Sequence, residues 1–153
     1  DITGYRLNVV DAACGSRFYN FEKTKDGGTT WTEVNGDPFD QNMGVAEGLL
    51  FFTNDFGFAG LTYASEDFSM LYVTKDGGET FERLELPLDT VTELPSEAEE
   101  LGFTIEDYDY HTMPQIVDGK MEIYLQTDAM EQQGIIFQSE DNGVTWEYAG
   151  CKE

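Results

Sequence analysis

Short apolar and aromatic runs recur along the whole chain, separated by clusters of Gly, Asp, Asn and Thr, and long helical periods are scarce. Phe18–Phe21, Met70–Val73 and Ile135–Gln138 are runs of the β type, because aromatic and β-branched side chains suit a pleated, half-buried surface. Each is followed by a polar octapeptide and then by a further short run: Trp31–Val34, Phe81–Leu84 and Trp146–Ala149. Upstream of each lies another run opened by Gly, over Gly4–Val10, Gly57–Thr62 and Gly119–Leu125. The second and third groups carry one more, earlier run, at Gly48–Phe52 and Thr112–Val117. This order predicts an all-β chain of three repeated antiparallel four-stranded meanders, the first one incomplete.

The octapeptides align without gaps: Thr24–Trp31, Thr74–Phe81 and Ser139–Trp146, sharing [ST]-x-D-x-G-x-T-[WF]. Each conserved type in the pattern has a physical task. Gly28, Gly78 and Gly143 supply the positive φ of a tight hairpin turn. Asp26, Asp76 and Asp141 accept hydrogen bonds from turn N–H groups, and Thr24, Thr74 and Ser139 do the same from the entering strand. Trp31, Phe81 and Trp146 open the next strand and bury a ring against the sheet. Such residues specify hairpins rather than reactive chemistry.

The repeats define one domain over 1–153, with units at approximately 1–36, 46–88 and 111–150 and an insertion at 88–110. The spacing shows the insertion directly: Asp26 to Asp76 is 50 residues and Asp76 to Asp141 is 65. Within it, Pro95–Gly102 reads as a short helix with a Ser96/Glu99 capping box and Gly102 as the stop. The acidic stretch Glu106–His111 follows; a solvated loop is the plainer reading, a binding face the sharper one.

Charge narrows the partners. Thirty-one acidic side chains against eight basic ones leave a formal charge of −23, which repels phosphates and anionic headgroups. Nucleic acid and membrane insertion are therefore not expected, and no run approaches the ~20 apolar residues a spanning helix needs. Cys14 and Cys151 are too few for a disulfide framework; a single bridge requires the fold to bring them together, and two free thiols are the alternative.

The octapeptides resemble the Asp-box (bacterial neuraminidase, BNR) repeats of sialidase-like propellers, a motif shared by sortilin-type receptors and some secreted glycoside hydrolases. A Gly-aromatic strand followed by T-x-D-G-G-x-T-[WF] is also similar to the blades of the propeller-type photosystem II assembly factors. The resemblance spans nearly the whole chain. It implies a partial or open β-propeller whose boxes join the last two strands of each blade on the outer rim, away from a central ligand site. It further implies an extracellular or cell-surface location. The first unit has no room for an inner first strand, and the chain opens on Asp1 rather than Met. Three arrangements follow from these facts: a piece of a longer parent, an open three-unit array, or closure with a second copy.

The resemblance can be tested for chemistry. Sialidases clamp a carboxylate with three arginines and use a Tyr/Glu nucleophile pair. This chain has only Arg6, Arg17 and Arg83, and Arg83 falls on the outermost strand of its unit, so sialidase activity is not expected. A carboxylate pair for general glycoside hydrolysis means little among 31 acidic residues. The single His111 reads as structural, and Glu106, Asp107 and Asp109 lack a Ca²⁺-loop pattern. No catalytic residue, metal or cofactor is assigned. A noncatalytic recognition or assembly module is favoured, binding a protein or glycan, with a homodimer through open sheet edges as a further option. The alternatives are a secreted glycoside hydrolase fragment with an incomplete site, and a structural domain with no small ligand.

Overall fold

A computed structural model describes residues 2–153. Strand makes up 47% of it and helix 7%, so the chain is all-β. Among the described residues twelve strands form three antiparallel sheets, none of them closed.

The first sheet has the order β1 (Gly4–Ala13), β2 (Ser16–Thr24), β3 (Thr32–Asn35). Its two long strands run past the predicted bounds and close on a two-residue turn, Cys14–Gly15, with φ of 51° and 85°. Positive φ at both centres matches the right-handed twist of the flanking strands. The second sheet is β4 (Val45–Phe51), β5 (Gly57–Thr62), β6 (Ser69–Thr74), β7 (Glu82–Arg83), in sequence order. The third contains β8 (Tyr110–His111), β9 (Gln115–Val117), β10 (Lys120–Gln126), β11 (Gly134–Ser139) and β12 (Glu147–Lys152).

The single strand expected over Thr112–Val117 is in fact two. β9 pairs with Lys120–Glu122 and β8 with Leu125–Gln126 of the same strand, β10. Pro114 lies in the gap and has no N–H to give a ladder. Thr112 spans the break: its N–H donates to the Tyr124 carbonyl at 3.0 Å and its hydroxyl accepts from the Tyr124 N–H at 3.0 Å.

Within the insertion, α1 covers Glu97–Leu101 and stops on Gly102, whose φ of 75° is left-handed as expected. The start differs. Ser96 already has helical angles (φ −57°, ψ −30°), so its hydroxyl does not turn back to cap the helix. It donates instead to the Glu153 carboxylate at 2.6 Å. A capping box does form eight residues later, where Thr104 and Asp107 serve the 3₁₀ turn Ile105–Asp107.

The chain divides into two compact units: Asp1–Ala64 with Met70–Leu84, and Ser65–Ser69 with Glu85–Glu153. In the first, two sheets share one aromatic core. Tyr5 stacks on Phe51 with centroids 3.9 Å apart, and Phe21 lies 5.6 Å from Phe51 and 5.3 Å from Phe81. Phe39 meets Tyr19 and Tyr72 edge-on at 6.0 and 5.3 Å. Such geometries add to the area each ring buries. Polar contacts fix the register of the two sheets: Arg17 N–H donates to the Gly44 carbonyl at 2.7 Å, and Asn35 Nδ2 to the Glu79 carbonyl at 3.1 Å.

The second unit is built on the third sheet, with Ile123, Leu125, Ile135 and Phe137 fully buried. The Ser65–Ser69 segment is tied to it, since Ser69 Oγ donates to the His111 carbonyl at 2.7 Å and accepts the His111 N–H at 2.6 Å.

Candidate functional site

The three octapeptides have the same internal geometry, and each joins the last two strands of its sheet. The opening hydroxyl residues Thr24, Thr74 and Ser139 are 3%, 0% and 2% exposed, so their polar atoms need internal partners. Each hydroxyl donates to the carboxylate two residues on, at 2.7, 2.9 and 2.7 Å. Each also accepts the N–H of the turn glycine, Gly28, Gly78 or Gly143, at 2.9, 2.8 and 2.8 Å. The same carboxylate oxygen accepts the N–H of Thr30, Thr80 or Thr145 at 2.9, 2.9 and 2.8 Å, and that threonine's hydroxyl donates to the second oxygen.

Every acceptor is thus engaged within its own turn, which favours the ionised carboxylate and lowers its pKa. The Thr30 N–H, then the Thr30 and Thr24 hydroxyls, hold the Asp26 carboxyl down to about 2. The Thr145 hydroxyl and N–H, with Ser139, bring Asp141 to about 2 as well. At Asp76 burial pushes the other way, but the Thr80 and Thr74 donors keep it below its ordinary value. These carboxylates are committed to their own turns.

The closing rings differ in surroundings. Trp31 donates Nε1–H to the Gly28 carbonyl at 3.1 Å, and the Arg6 guanidinium lies 4.2 Å from its ring centroid. Phe81 packs on Phe21, and Trp146 is 9% exposed. A hollow of about 430 Å³ borders the first two octapeptides, lined by Lys23, Lys25, Thr32, Asp76 and Glu79. One of about 340 Å³ borders the third, where Lys120 Nζ is 2.6 Å from Glu140. In both, the lysines share a wall with carboxylates.

The remaining polar candidates also have structural partners. Arg6 is ion-paired with Glu22, Arg17 is in the β2 ladder and Arg83 is on the edge strand β7, so the three are not gathered around one point. His111 sits in β8, with Nδ1 3.2 Å from the Asp109 carbonyl. Asp107 is the capping carboxylate of its 3₁₀ turn, accepting the Thr104 N–H at 2.7 Å. Among the described residues no group of three His, Cys, Asp or Glu side chains converges as a metal site. Cys14 and Cys151 are both free, Cys14 at an exposed hairpin tip and Cys151 half-buried beside the Glu93 carbonyl.

One carboxylate pair has opposed acidities. Burial and then Glu131 push Glu97 up, while the Gln133 and Gln132 N–H groups pull Glu131 down. Tyr108 donates to Glu97 at 3.2 Å. Opposed acidities are what acid–base pairs use, but Glu97 is already engaged by the Tyr108 hydroxyl.

The chain matches no protein-family model and no curated protein. Two further hollows lie in the insertion. One of about 470 Å³ is lined by Leu88, Leu94, Phe103 and Ile105 together with Asp89 and Glu93. An adjoining one of about 370 Å³ shares Leu94 and Phe103 and adds Pro95, Ala98, Ser96 and Glu99. The insertion was expected as a short helix followed by an acidic stretch, either a solvated loop or a binding face, and the partly apolar trough over 88–105 was not foreseen. The available signal was the recurrence of Leu and Val through 84–94 in a segment without basic residues.

Proposed function

We propose that the chain is a noncatalytic recognition or assembly module of the Asp-box, sialidase-like propeller kind, with its three sheets as blades of a partial or open propeller and a protein as its partner. The observation carrying this reading is the free edge of β1. In the second and third sheets the Gly-opened strand is flanked on both sides, β5 by β4 and β6, β10 by β8, β9 and β11. Among the described residues the ten-residue strand β1 is paired on one side only, and Val9 and Val10 are 46% and 54% exposed. Unpaired N–H and C=O groups along such an edge are a template for strand addition. The engagement of every octapeptide carboxylate in its own turn supports a scaffold role for the repeats. An extracellular or cell-surface setting is part of the same reading.

The partner strand can come from a further segment of a longer parent chain, from a different protein or from a second copy. The formal charge of −23 opposes self-association, so a homodimer requires screening salt. Light scattering at low and high salt, with Val10→Lys as the edge-blocking variant, separates the cases. Strand addition is expected to protect the β1 amides from hydrogen exchange in wild type and not in V10K. Turnover of a fluorogenic glycoside, sialosides included, overturns the noncatalytic reading.

A further inference from the structure

We infer that the trough of the 88–105 insertion is a docking groove for a basic amphipathic peptide segment. This deepens the recognition reading and rests on it, but uses a surface other than the β1 edge.

Two adjoining hollows share Leu94 and Phe103, and apolar side chains alternate in their lining with the carboxylates Asp89, Glu93 and Glu99. This lining is held in place from beneath. Phe103 meets the buried Tyr108 edge-on at 6.2 Å, and its N–H donates to the Ala98 carbonyl at 2.9 Å. An apolar side chain of the lining remains open to solvent, with Leu88 42% exposed. Apolar contact surface on a fixed backbone is what anchoring side chains of a partner require.

Charge selects the occupant. Between Arg83 and Lys120 there is no Lys or Arg, while 88–110 alone carries eight carboxylates: Asp89, Glu93, Glu97, Glu99, Glu100, Glu106, Asp107 and Asp109. The unit that contains the trough has nineteen acidic and two basic side chains, a formal −17. Asp89, Glu93 and Glu99 line the two hollows themselves, and a surface that presents one sign of charge concentrates the opposite sign and speeds its arrival. A second copy would bring a second negative rim, and a phosphate-bearing surface would be repelled. What fits is a segment with two or three large apolar residues on one face and Lys or Arg around them, in the helix-in-groove or extended mode.

Three synthetic peptides of equal length test this against the intact chain, one of Leu and Lys at helical spacing, one with Ser replacing every Leu, and one with Glu replacing every Lys. Isothermal titration gives the affinities, and NMR shift changes locate the contact. The Leu/Lys peptide is expected to bind, weakening as salt rises, with shift changes over 88–105. The Lys/Ser peptide is expected to bind at least about tenfold more weakly, and Leu94→Ser to weaken the Leu/Lys peptide by about tenfold, since burying one large apolar side chain is worth that much or more. Leu88→Ser, at an exposed margin, carries the same direction should Leu94→Ser fail to fold. Equal affinity of the Leu/Lys and Lys/Ser peptides, or an unchanged affinity in both variants, overturns the groove by reducing it to a general field. Shift changes confined to β1 overturn the groove and leave the recognition reading standing. Glycoside turnover with no peptide bound overturns both.

Discussion

In the first compact unit twelve acidic side chains stand against six basic ones, and two sheets are joined by a run of aromatic rings. In the second, nineteen stand against two, and one sheet carries an insertion with a partly apolar trough. The same octapeptide turn serves in both. It is therefore indifferent to the surroundings in charge and in packing, because its hydrogen bonds close on themselves. What differs is how tightly a given copy is pressed by its neighbours. Gly28 and Gly78 have φ of 93° and 94°, but a methyl on Gly28 would reach Trp31 at 3.7 Å, whereas on Gly78 it would fall 1.9 Å from a Phe21 ring carbon.

Gly78→Ala is the severest way to break this contrast. The Phe21 ring is held among Tyr5, Phe51 and Phe81 and has nowhere to retreat. Overpacking added to left-handed strain is expected to cost about 3–5 kcal/mol, against about 1 kcal/mol for Gly28→Ala, measured by urea unfolding. Equal losses would show that φ alone makes glycine necessary at these positions.

Acid comes next. Asp26 and Asp141 have folded values near 2, against an ordinary 3.8. A depressed carboxyl stabilises the fold above its unfolded value and loses that contribution as pH falls through the folded one, here between about 4 and 2. One copy lies in each unit, so the hairpins of both are expected to loosen together across that window, followed by NMR. Thr30→Val and Thr145→Val remove hydroxyl donors and should move the loss to higher pH.

A smaller effect distinguishes the units by charge. Glu97 is raised by burial and by Glu131, so its ionised form disfavours folding above the raised value and the penalty is relieved on protonation. Glu97→Gln is expected to stabilise the second unit at pH 7 and to matter less at pH 4. Added salt should likewise help the second unit more than the first, read by residue-resolved hydrogen exchange. The least perturbing test leaves stability alone. Cys14 is exposed and Cys151 is half-buried with its thiol pushed up by burial, so a thiol reagent should modify Cys14 first.

The sheets and turns were legible because their signals are local. Gly, Asp and Thr at fixed offsets make a turn wherever they occur, and the flanking aromatic runs have strand chemistry. The break in the third sheet was written at Pro114, but only the pairing partner β10 reveals that the strand resumes on the same edge. Ser96 and Glu99 looked like a capping box, yet Glu153, 57 residues away in sequence, took the serine hydroxyl. The trough was hidden for the same reason: Leu94 and Phe103 become neighbours only when α1 turns the chain back. Long-range capture of a side chain has no pattern in a linear sequence.

The third octapeptide has Asn142 where the other two have glycine, followed directly by Gly143. In an unstructured chain an Asn–Gly pair ages chemically, as the side-chain amide carbon is attacked by the next peptide nitrogen to form a cyclic imide. That nitrogen here donates to Ser139 Oγ at 2.8 Å, and Gly143 is buried. The hairpin thus holds its own most perishable bond in check, and deamidation at Asn142 becomes a clock for how often this turn opens.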